Sequence, residues 1–285
     1  MAALSRLGKL GQRIILIVVA FPLLYALLFL LPHRGYLAFN LAVFAATFGA
    51  AFEVRNLIQH HEIPVSRLLA PVLGATVPAF FYLIVTGRVN ALLAPAWLAV
   101  VAATVLTWAA LVEKKERLTE VLLRASSSLL VVLYPGLFLA FVVLMTGWEQ
   151  ASLRILFFLC LIFVNDMSAY VAGKLFGKKS NFIISPNKSM AGFMAGFLGS
   201  VLMAALFHTL VPGIFSSLPL VGALAFGAVI GLTTIVGDLI ESAFKRSAEV
   251  KDSGTIMVGR GGVLDSVDSV LFSAPVFYVF FQYIL

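Results

Sequence analysis

Residues 218–243 read LPLVGALAFGAVIGLTTIVGDLIESA. No charged residue precedes Asp238 in this stretch, so it provides the run of about 20 apolar residues that a helix needs to cross a bilayer core roughly 30 Å thick. Its end is polar, with residues spaced at i, i+3, i+4 and i+7, which places their side chains on one side of a helix. These residues are Asp238, Glu241, Ser242 and Lys245. The stretch therefore predicts a transmembrane helix that carries carboxylates at one end.

The rest of the chain has the same apolar character. Of its 285 residues 61% are hydrophobic and only 12% are charged, and the mean hydropathy is +1.05. A soluble domain of this length cannot bury so much apolar surface in one core. We predict an all-α, polytopic integral membrane protein with about nine transmembrane helices, near residues 12–31, 36–57, 67–86, 91–112, 125–146, 152–175, 190–212, 218–243 and 263–284.

The Lys and Arg residues predict the orientation of these helices. Short cytoplasmic loops of membrane proteins accumulate Lys and Arg, whereas translocated loops do not. With a cytoplasmic N-terminus, 17 of the 20 basic residues fall on the cytoplasmic side, and only Arg34, Arg88 and Arg154 do not. A missed helix would invert every later loop and remove this asymmetry. The sequence thus predicts that the N-terminus is cytoplasmic and the C-terminus is outside.

Composition argues against two other kinds of function. The formal net charge of +7 follows from the orientation of the helices and from attraction to an anionic inner leaflet, so it indicates no nucleic-acid partner. The single cysteine, Cys160, lies in the sixth span. It can form neither a disulfide framework nor a thiolate metal site.

The polar residues divide the chain into parts. Residues 1–120 are nearly uniform, with small residues such as Ala51 and Gly74 that allow close helix packing, and they are expected to form a scaffold of four helices. Residues 121–180 would contain helices five and six. All five aspartates lie from Asp166 onward. Residues 181–285 are therefore predicted to be the catalytic region, facing the cytoplasm.

A second group of polar residues follows residues 218–243. It runs through Lys251-Asp252-Ser253-Gly254 and Gly259-Arg260-Gly261-Gly262 into a helix whose first turns carry Asp265 and Asp268. Glycines before a helix N-terminus let backbone N–H groups approach a phosphate. Mg²⁺ binds through one or two carboxylates together with substrate phosphates. The alternative is a tight loop whose acidic residues only complement the helix dipole.

Upstream residues add candidates for the same site. Asp166 lies toward the cytoplasmic half of the sixth span, and Lys188 follows in the next cytoplasmic loop. An ionisable residue inside a membrane is a functional candidate by default, although Asp166 could also be satisfied by a neighbouring helix. Basic residues in this loop could equally be ordinary determinants of topology.

Two motifs give the chain a family resemblance. Ser242-Ala-Phe-Lys245-Arg246, Lys251-Asp252-Ser-Gly254 and Gly261-Gly262-Val-Leu-Asp265-Ser-Val-Asp268 resemble, in order and spacing, the C-terminal motif of the phosphatidate cytidylyltransferases, also called CDP-diacylglycerol synthases. Residues from Asn165-Asp166 to Ser185-Pro186-Asn-Lys188-Ser189 resemble the second conserved stretch of that family. The resemblance covers most of residues 165–268.

The resemblance implies a reaction in which CTP and phosphatidate give CDP-diacylglycerol and pyrophosphate in a membrane, in bacteria the inner membrane. It also implies a homodimer, with residues 121–180 as a candidate dimer contact. It further implies Mg²⁺, with a second cation left open. Asp238, Asp265 and Asp268 would hold the metal, with Asp166 as a further candidate, and the catalytic set would be these three aspartates and Lys245. Substrate phosphates would be bound by Lys188, Ser242, Arg246, Lys251, Asp252, Arg260, Gly261 and Gly262.

The chain also departs from the family pattern. Arg260, Ser266 and Ala191 stand where the family has His, Arg and Glu, and Val258 stands where it has Pro or Gly. Two alternatives to the cytidylyltransferase therefore stay open. One is a related transferase that acts on another lipid phosphate or uses another nucleotide. The other is a transporter or non-catalytic membrane partner, although its charge would be expected on both sides of the membrane.

The predicted topology can be measured with reporter fusions. A reporter placed after Leu285 should be active outside the cytoplasm, because nine spans from a cytoplasmic N-terminus end there. A cytoplasmic signal from that fusion would mean that the helix count is wrong.

Overall fold

The computed structural model describes residues 19–112, 115–177, 184–186, 188–215, 218–257 and 261–284. Within these ranges the long elements are all helices and no strand is formed. The nine apolar helices are α1 Val19–Leu30, α2 His33–Gln59, α3 Leu69–Val85, α4 Ala94–Ala110, α5 Val121–Met145, α6 Ala151–Phe176, α7 Met190–Leu210, α8 Leu220–Ser247 and α9 Leu264–Ile284.

The helices confirm the all-α, multi-helix membrane class that hydropathy predicts. Within the described residues each predicted span overlaps one helix, and seven of these helices are long and apolar enough to cross a membrane. The helices α1 and α3 are shorter than the rest. The count of nine spans and the orientation of the two termini stay predictions.

The chain forms two compact units, and each unit combines two separate segments of the sequence. One unit comprises Met1–Val143 with Ala248–Val267, and the other comprises Leu144–Ser247 with Asp268–Leu285. The division into residues 1–120, 121–180 and 181–285 concerns the roles of these segments and stays a prediction.

Small residues control helix packing in the first unit. A Cβ atom on Gly136 of α5 would lie 2.6 Å from the carbonyl oxygen of Gly74 in α3, so the two backbones are in direct contact there. A Cβ atom on Gly74 would in turn meet the Ala51 methyl group of α2 at 3.6 Å. Close approach through small side chains is the usual way in which helices associate without a solvent-driven hydrophobic effect.

A buried polar network joins three helices of the second unit. The side-chain amide of Asn165 in α6 donates to the hydroxyl of Ser200 in α7 at 3.0 Å and to the carbonyl oxygen of Gly231 in α8 at 3.2 Å. The Ser200 hydroxyl donates to the carbonyl oxygen of Leu161 at 3.1 Å. Because unsatisfied polar groups are costly in an apolar bundle, this network fixes how α6, α7 and α8 pack against one another.

Aromatic side chains fill the remaining core of this unit. Phe157, Phe158, Phe226 and Phe277 are completely buried. The ring of Phe277 in α9 lies 4.7 Å from that of Phe158 and 5.1 Å from that of Phe226, measured between centroids. Contacts at such separations pack α9 against α6 and α8.

The close approach of α7 and α8 gives a test of this packing. A Cβ atom on Gly227 would lie 2.7 Å from the Cβ atom of Ala204 and 2.8 Å from the carbonyl oxygen of Ser200. We expect Gly227→Ala to destabilise the protein by about 1–3 kcal/mol through overpacking and to lower its melting temperature in detergent. Gly213→Ala is the matched control, since a Cβ atom there meets nothing within 4 Å. Equal melting temperatures of both variants would contradict the close packing of α7 and α8.

Candidate functional site

Three carboxylates come together in the second unit. Asp238 and Glu241 of α8 and Asp268 of α9 each offer an oxygen atom, and these atoms lie within 4.8 Å of one another. Gly237, which precedes Asp238, allows α8 and α9 to approach closely. A Cβ atom at Gly237 would lie 2.7 Å from the carbonyl oxygen of Asp268. The spacing of Asp238 and Glu241 along α8 and the contact of the two helix backbones therefore build an acidic cluster.

Two lysines form ion pairs with this acidic cluster. The Lys245 ammonium lies 2.6 Å from Oε2 of Glu241, one helical turn away along α8. Lys188, in the loop before α7, forms an ion pair with Asp238. Since Glu241 is completely buried, a close positive charge offsets the cost of removing its carboxylate from water. The structure thus brings Lys188, a predicted phosphate ligand, and Lys245, a predicted catalytic residue, to the acidic cluster.

The charges around Asp268 favour a cation. Both Asp238 and Asp166 repel the Asp268 carboxylate electrostatically, whereas Lys245 attracts it. The backbone N–H of Ser269 donates to Oδ1 of Asp268 at 2.6 Å. Several carboxylates held together in an apolar environment repel one another, and a bound cation relieves that repulsion. Carboxylate oxygens are also the ligands that hard divalent ions such as Mg²⁺ prefer. The acidic cluster could therefore hold a metal.

A second polar cluster lies in the first unit, around Glu53 of α2. Oε1 of Glu53 accepts a hydrogen bond from the backbone N–H of Val263 at 2.8 Å. Oε2 accepts one from the backbone N–H of Leu264 at 2.8 Å and one from the hydroxyl of Ser253 at 2.8 Å. The side chain is buried, at 2% exposure. Glu53 thus binds the first residues of α9 and the loop that precedes them.

Asp265 holds the same loop from the other side. Its Oδ2 accepts hydrogen bonds from the backbone N–H of Ser253 at 2.9 Å, from the Ser253 hydroxyl at 2.9 Å and from the backbone N–H of Gly262 at 2.7 Å. The described structure therefore shows Asp265 as a loop-binding carboxylate, and the group of carboxylates within 4.8 Å of one another does not include it. A metal-binding role for Asp265 stays a prediction from the sequence.

The glycines of the motif make room for these carboxylates. Gly261 has φ of +105°, a conformation that residues with a side chain rarely adopt. A Cβ atom on Gly262 would collide with Glu53 and Ser253, and one on Gly254 would collide with Glu53. Two hydrogen bonds, at 2.8 and 3.0 Å, join the backbones of Met257 and Gly261.

The other predicted site residues fall in several surroundings. Ser242 is buried in α8, whereas Arg246, Lys251 and Asp252 are exposed. Arg260 lies outside the described residues, as does Val258. Ser266, which departs from the family pattern, donates its hydroxyl hydrogen to the carbonyl oxygen of Gly262 at 3.1 Å. Substrate binding by these residues stays a prediction.

Comparison with known proteins gives the family. A sequence profile described as the cytidylyltransferase family matches residues 11–284, which is nearly the whole chain. The chain belongs to the cytidylyltransferase family. The resemblance predicted from the two motifs is thereby confirmed.

Three relatives illustrate the similarity of this cytidylyltransferase family member to other proteins. An uncharacterised protein, YnbB, of Escherichia coli strain K12 is 37% identical over 48% of this chain and 45% of its own length. Phosphatidate cytidylyltransferase of Chlamydia trachomatis is 42% identical over 40% of this chain and 38% of its own length. Phosphatidate cytidylyltransferase of Bacillus subtilis is 34% identical over 52% of this chain and 55% of its own length. The chain thus spans about half or less of the length of these curated relatives.

Glu241 and Glu53 differ in how far the sequence of this family member indicates them. Glu241 lies with Asp238 and Lys245 on one side of α8, a pattern that can hold a cation, and the structure places it beside Asp268. Glu53 lies inside an apolar span that was predicted to be scaffold. Its position was itself a signal, because an ionisable residue within a transmembrane segment is expected to be functional.

Metal binding by the cytidylyltransferase family member can be measured directly. Mn²⁺ takes the same oxygen ligands as Mg²⁺ and its free signal is visible by electron paramagnetic resonance. We expect Asp268→Asn to weaken Mn²⁺ binding at least about tenfold, because it replaces a charged ligand with a neutral one. Glu249→Gln removes an exposed carboxylate and should bind Mn²⁺ as the wild type does. Equal affinities of Asp268→Asn and the wild type would exclude Asp268 as a ligand.

Proposed function

We propose that this chain is a phosphatidate cytidylyltransferase that converts CTP and phosphatidate into CDP-diacylglycerol and pyrophosphate. The observation that supports the proposal most is the cluster of Asp238, Glu241 and Asp268 with lysines beside it, in a chain of the cytidylyltransferase family. Relatives in Chlamydia trachomatis and Bacillus subtilis carry the name of this activity.

The reaction requires that two polyanions approach each other. A phosphate oxygen of the lipid forms a bond to the α-phosphorus of CTP, and the bond from that phosphorus to the bridging oxygen of the β-phosphate breaks. The electron pair of the broken bond leaves with pyrophosphate. Phosphoryl and nucleotidyl transfers of this kind depend mainly on in-line positioning and on neutralisation of negative charge.

The acidic cluster suits the metal that such a reaction uses. Asp238, Glu241 and Asp268 would hold Mg²⁺, with Asp166 and Asp265 as the further candidates that the sequence provides. When bound, Mg²⁺ neutralises phosphate charge and orients the phosphate oxygens. The number of carboxylates leaves room for a second cation.

The two lysines of the cluster would bind the phosphates themselves. Lys188 and Lys245 are held beside carboxylates, so their ammonium groups lie where phosphates bound through the same carboxylates would arrive. An ammonium group has three donors on a flexible stem, and it can therefore turn from a carboxylate to a phosphate oxygen. Arg246, Lys251 and Arg260 are the further candidates from the motif, together with the loop glycines.

The location of the reaction follows from the topology. The distribution of Lys and Arg supports a site at the cytoplasmic surface, and the bacterial relatives support an inner membrane. CTP would reach the site from the cytoplasm and phosphatidate from the inner leaflet. The family resemblance further supports a homodimer. A different lipid phosphate is the main alternative acceptor, because Ser266 replaces a cationic residue of the family pattern.

The activity can be tested by release of pyrophosphate from the purified protein in detergent with CTP, Mg²⁺ and phosphatidic acid. We expect turnover that requires the lipid and Mg²⁺. Asp268→Asn should lower kcat about 100-fold or more, the usual cost of losing a group that stabilises transition-state charge. Glu249→Gln is the control for loss of one carboxylate and should retain wild-type turnover.

Two outcomes would count against the proposal. Turnover of another lipid phosphate but not of phosphatidate would identify a related transferase. No turnover of any lipid phosphate by folded protein that still binds Mn²⁺ would favour a non-catalytic membrane protein.

A further inference from the structure

Glu53 is a buried carboxylate whose contacts the proposed reaction does not use. It lies in the second half of α2, within a helix long and apolar enough to cross a membrane, and is 2% exposed. Placing a carboxylate at such a position is costly, so the chain must retain it for its contacts. Those contacts are to residues 200 to 211 positions later in the sequence, from Ser253 to Leu264.

Both oxygen atoms of Glu53 are used as acceptors. The N–H groups of Val263 and Leu264 belong to the start of α9, where backbone donors have no acceptor within their own helix. A carboxylate at a helix N-terminus satisfies such donors and interacts favourably with the helix dipole. Here the carboxylate comes from another helix, so it fixes the position of α9's first residues relative to α2 within the first unit.

The Ser253 hydroxyl extends this contact to the other end of the loop. It lies 2.8 Å from Oε2 of Glu53 and 2.9 Å from Oδ2 of Asp265, so its single proton is shared between two carboxylates. Asp265 also accepts from the N–H of Gly262. Asp265 therefore binds both Ser253 and Gly262, and Glu53 binds Ser253 as well.

Gly254 and Gly262 leave the space that the Glu53 carboxylate occupies. Any side chain on Gly254 or Gly262 would occupy the space that the Glu53 carboxylate fills. Glycine at these positions is thus required by Glu53 itself, in addition to any contact with phosphate. The exposed residues Lys251 and Asp252 immediately precede the segment that Glu53 holds.

We propose that Glu53 is a positioning residue that holds Ser253 and residues 262–264 in the conformation that binds the nucleotide phosphates. The inference rests on the proposed function for the identity of the ligand, and on the hydrogen bonds alone for the positioning. Glu53 would act through Ser253, Val263 and Leu264 and would not touch the substrate. It gives the N-terminal half of the chain, which hydropathy identifies as scaffold, a role in positioning these motif residues.

Glu53→Gln is the sharpest variant. Glutamine keeps the shape of the side chain but has one acceptor oxygen, and its NH₂ group would face an N–H donor of α9. Glu53→Asp keeps two acceptor oxygens on a shorter stem and should rescue part of the effect. Ser253→Ala removes only the hydroxyl that joins Glu53 to Asp265. Glu62→Gln, at an exposed position just after α2, is the matched control.

Two measurements on the full-length protein in detergent separate positioning from general stability. Amide hydrogen exchange should accelerate at least tenfold in peptides covering residues 251–264 of Glu53→Gln, while peptides of α3 exchange as in the wild type. The KM for CTP should rise about tenfold, with a smaller change in kcat, because the phosphate-binding conformation is less populated. Ser253→Ala should show the same changes in milder form, and Glu62→Gln should show none.

Wild-type exchange and wild-type KM in Glu53→Gln would overturn the proposal. Faster exchange throughout α2 and α3 with an unchanged KM would also overturn it, since Glu53 would then serve stability alone. If Glu53→Gln does not fold, Glu53→Asp and Ser253→Ala decide by the same two readouts. Absence of CTP turnover in the wild type, with local exchange still accelerated in the variants, would reject the proposed function and leave the positioning of the loop supported.

Discussion

A carboxylate buried among apolar helices needs a partner, and this requirement organises both polar clusters of the protein. In the second unit Lys245 lies beside Glu241 and Lys188 beside Asp238. In the first unit Glu53 and Asp265 accept backbone and hydroxyl hydrogen bonds instead. Removing an ionised carboxylate from water costs several kcal/mol even after relaxation of the protein. The two buried carboxylates, Glu53 and Glu241, therefore fix the position of the groups that satisfy them.

Hydropathy and charge predicted the helices and the region of the site because both signals are local. Apolar runs give the helices, and the concentration of aspartates after residue 165 gives the acidic cluster, including the pairing of Asp238 with Asp268. The hydrogen bonds from Val263 and Leu264 to Glu53 could not be predicted from the sequence. A local sequence pattern does not indicate which distant backbone N–H groups will bind a given carboxylate. Asp265 combines two signals: its i, i+3 spacing from Asp268 predicts a shared metal, and its Oδ2 accepts hydrogen bonds from the loop, which the spacing alone does not indicate.

Small residues are the second condition on which these clusters depend. Gly237 lets α8 reach the backbone of α9 beside Asp268, and Gly262 leaves space for the Glu53 carboxylate. A methyl group on Gly237 would collide with the backbone of α9 at Asp268, and a methyl group on Gly262 would collide with the Glu53 carboxylate. A motif glycine is commonly explained by access of backbone N–H groups to phosphate. Here the glycines also have a packing role, and both roles favour the same residue.

The kind of partner distinguishes the two clusters chemically. Oδ2 of Asp265 and both oxygens of Glu53 accept hydrogen bonds from N–H and O–H groups of the fold, most of them on the backbone, and these donors cannot move without rearranging the loop. The partners of Glu241 and Asp238 are lysine ammonium groups on flexible stems. A cation can replace an ammonium group beside a carboxylate with little rearrangement, whereas it cannot replace three directed hydrogen bonds. The lysine-paired carboxylates are therefore suited to exchange partners, and the carboxylates bound to the backbone are suited to hold the loop in place.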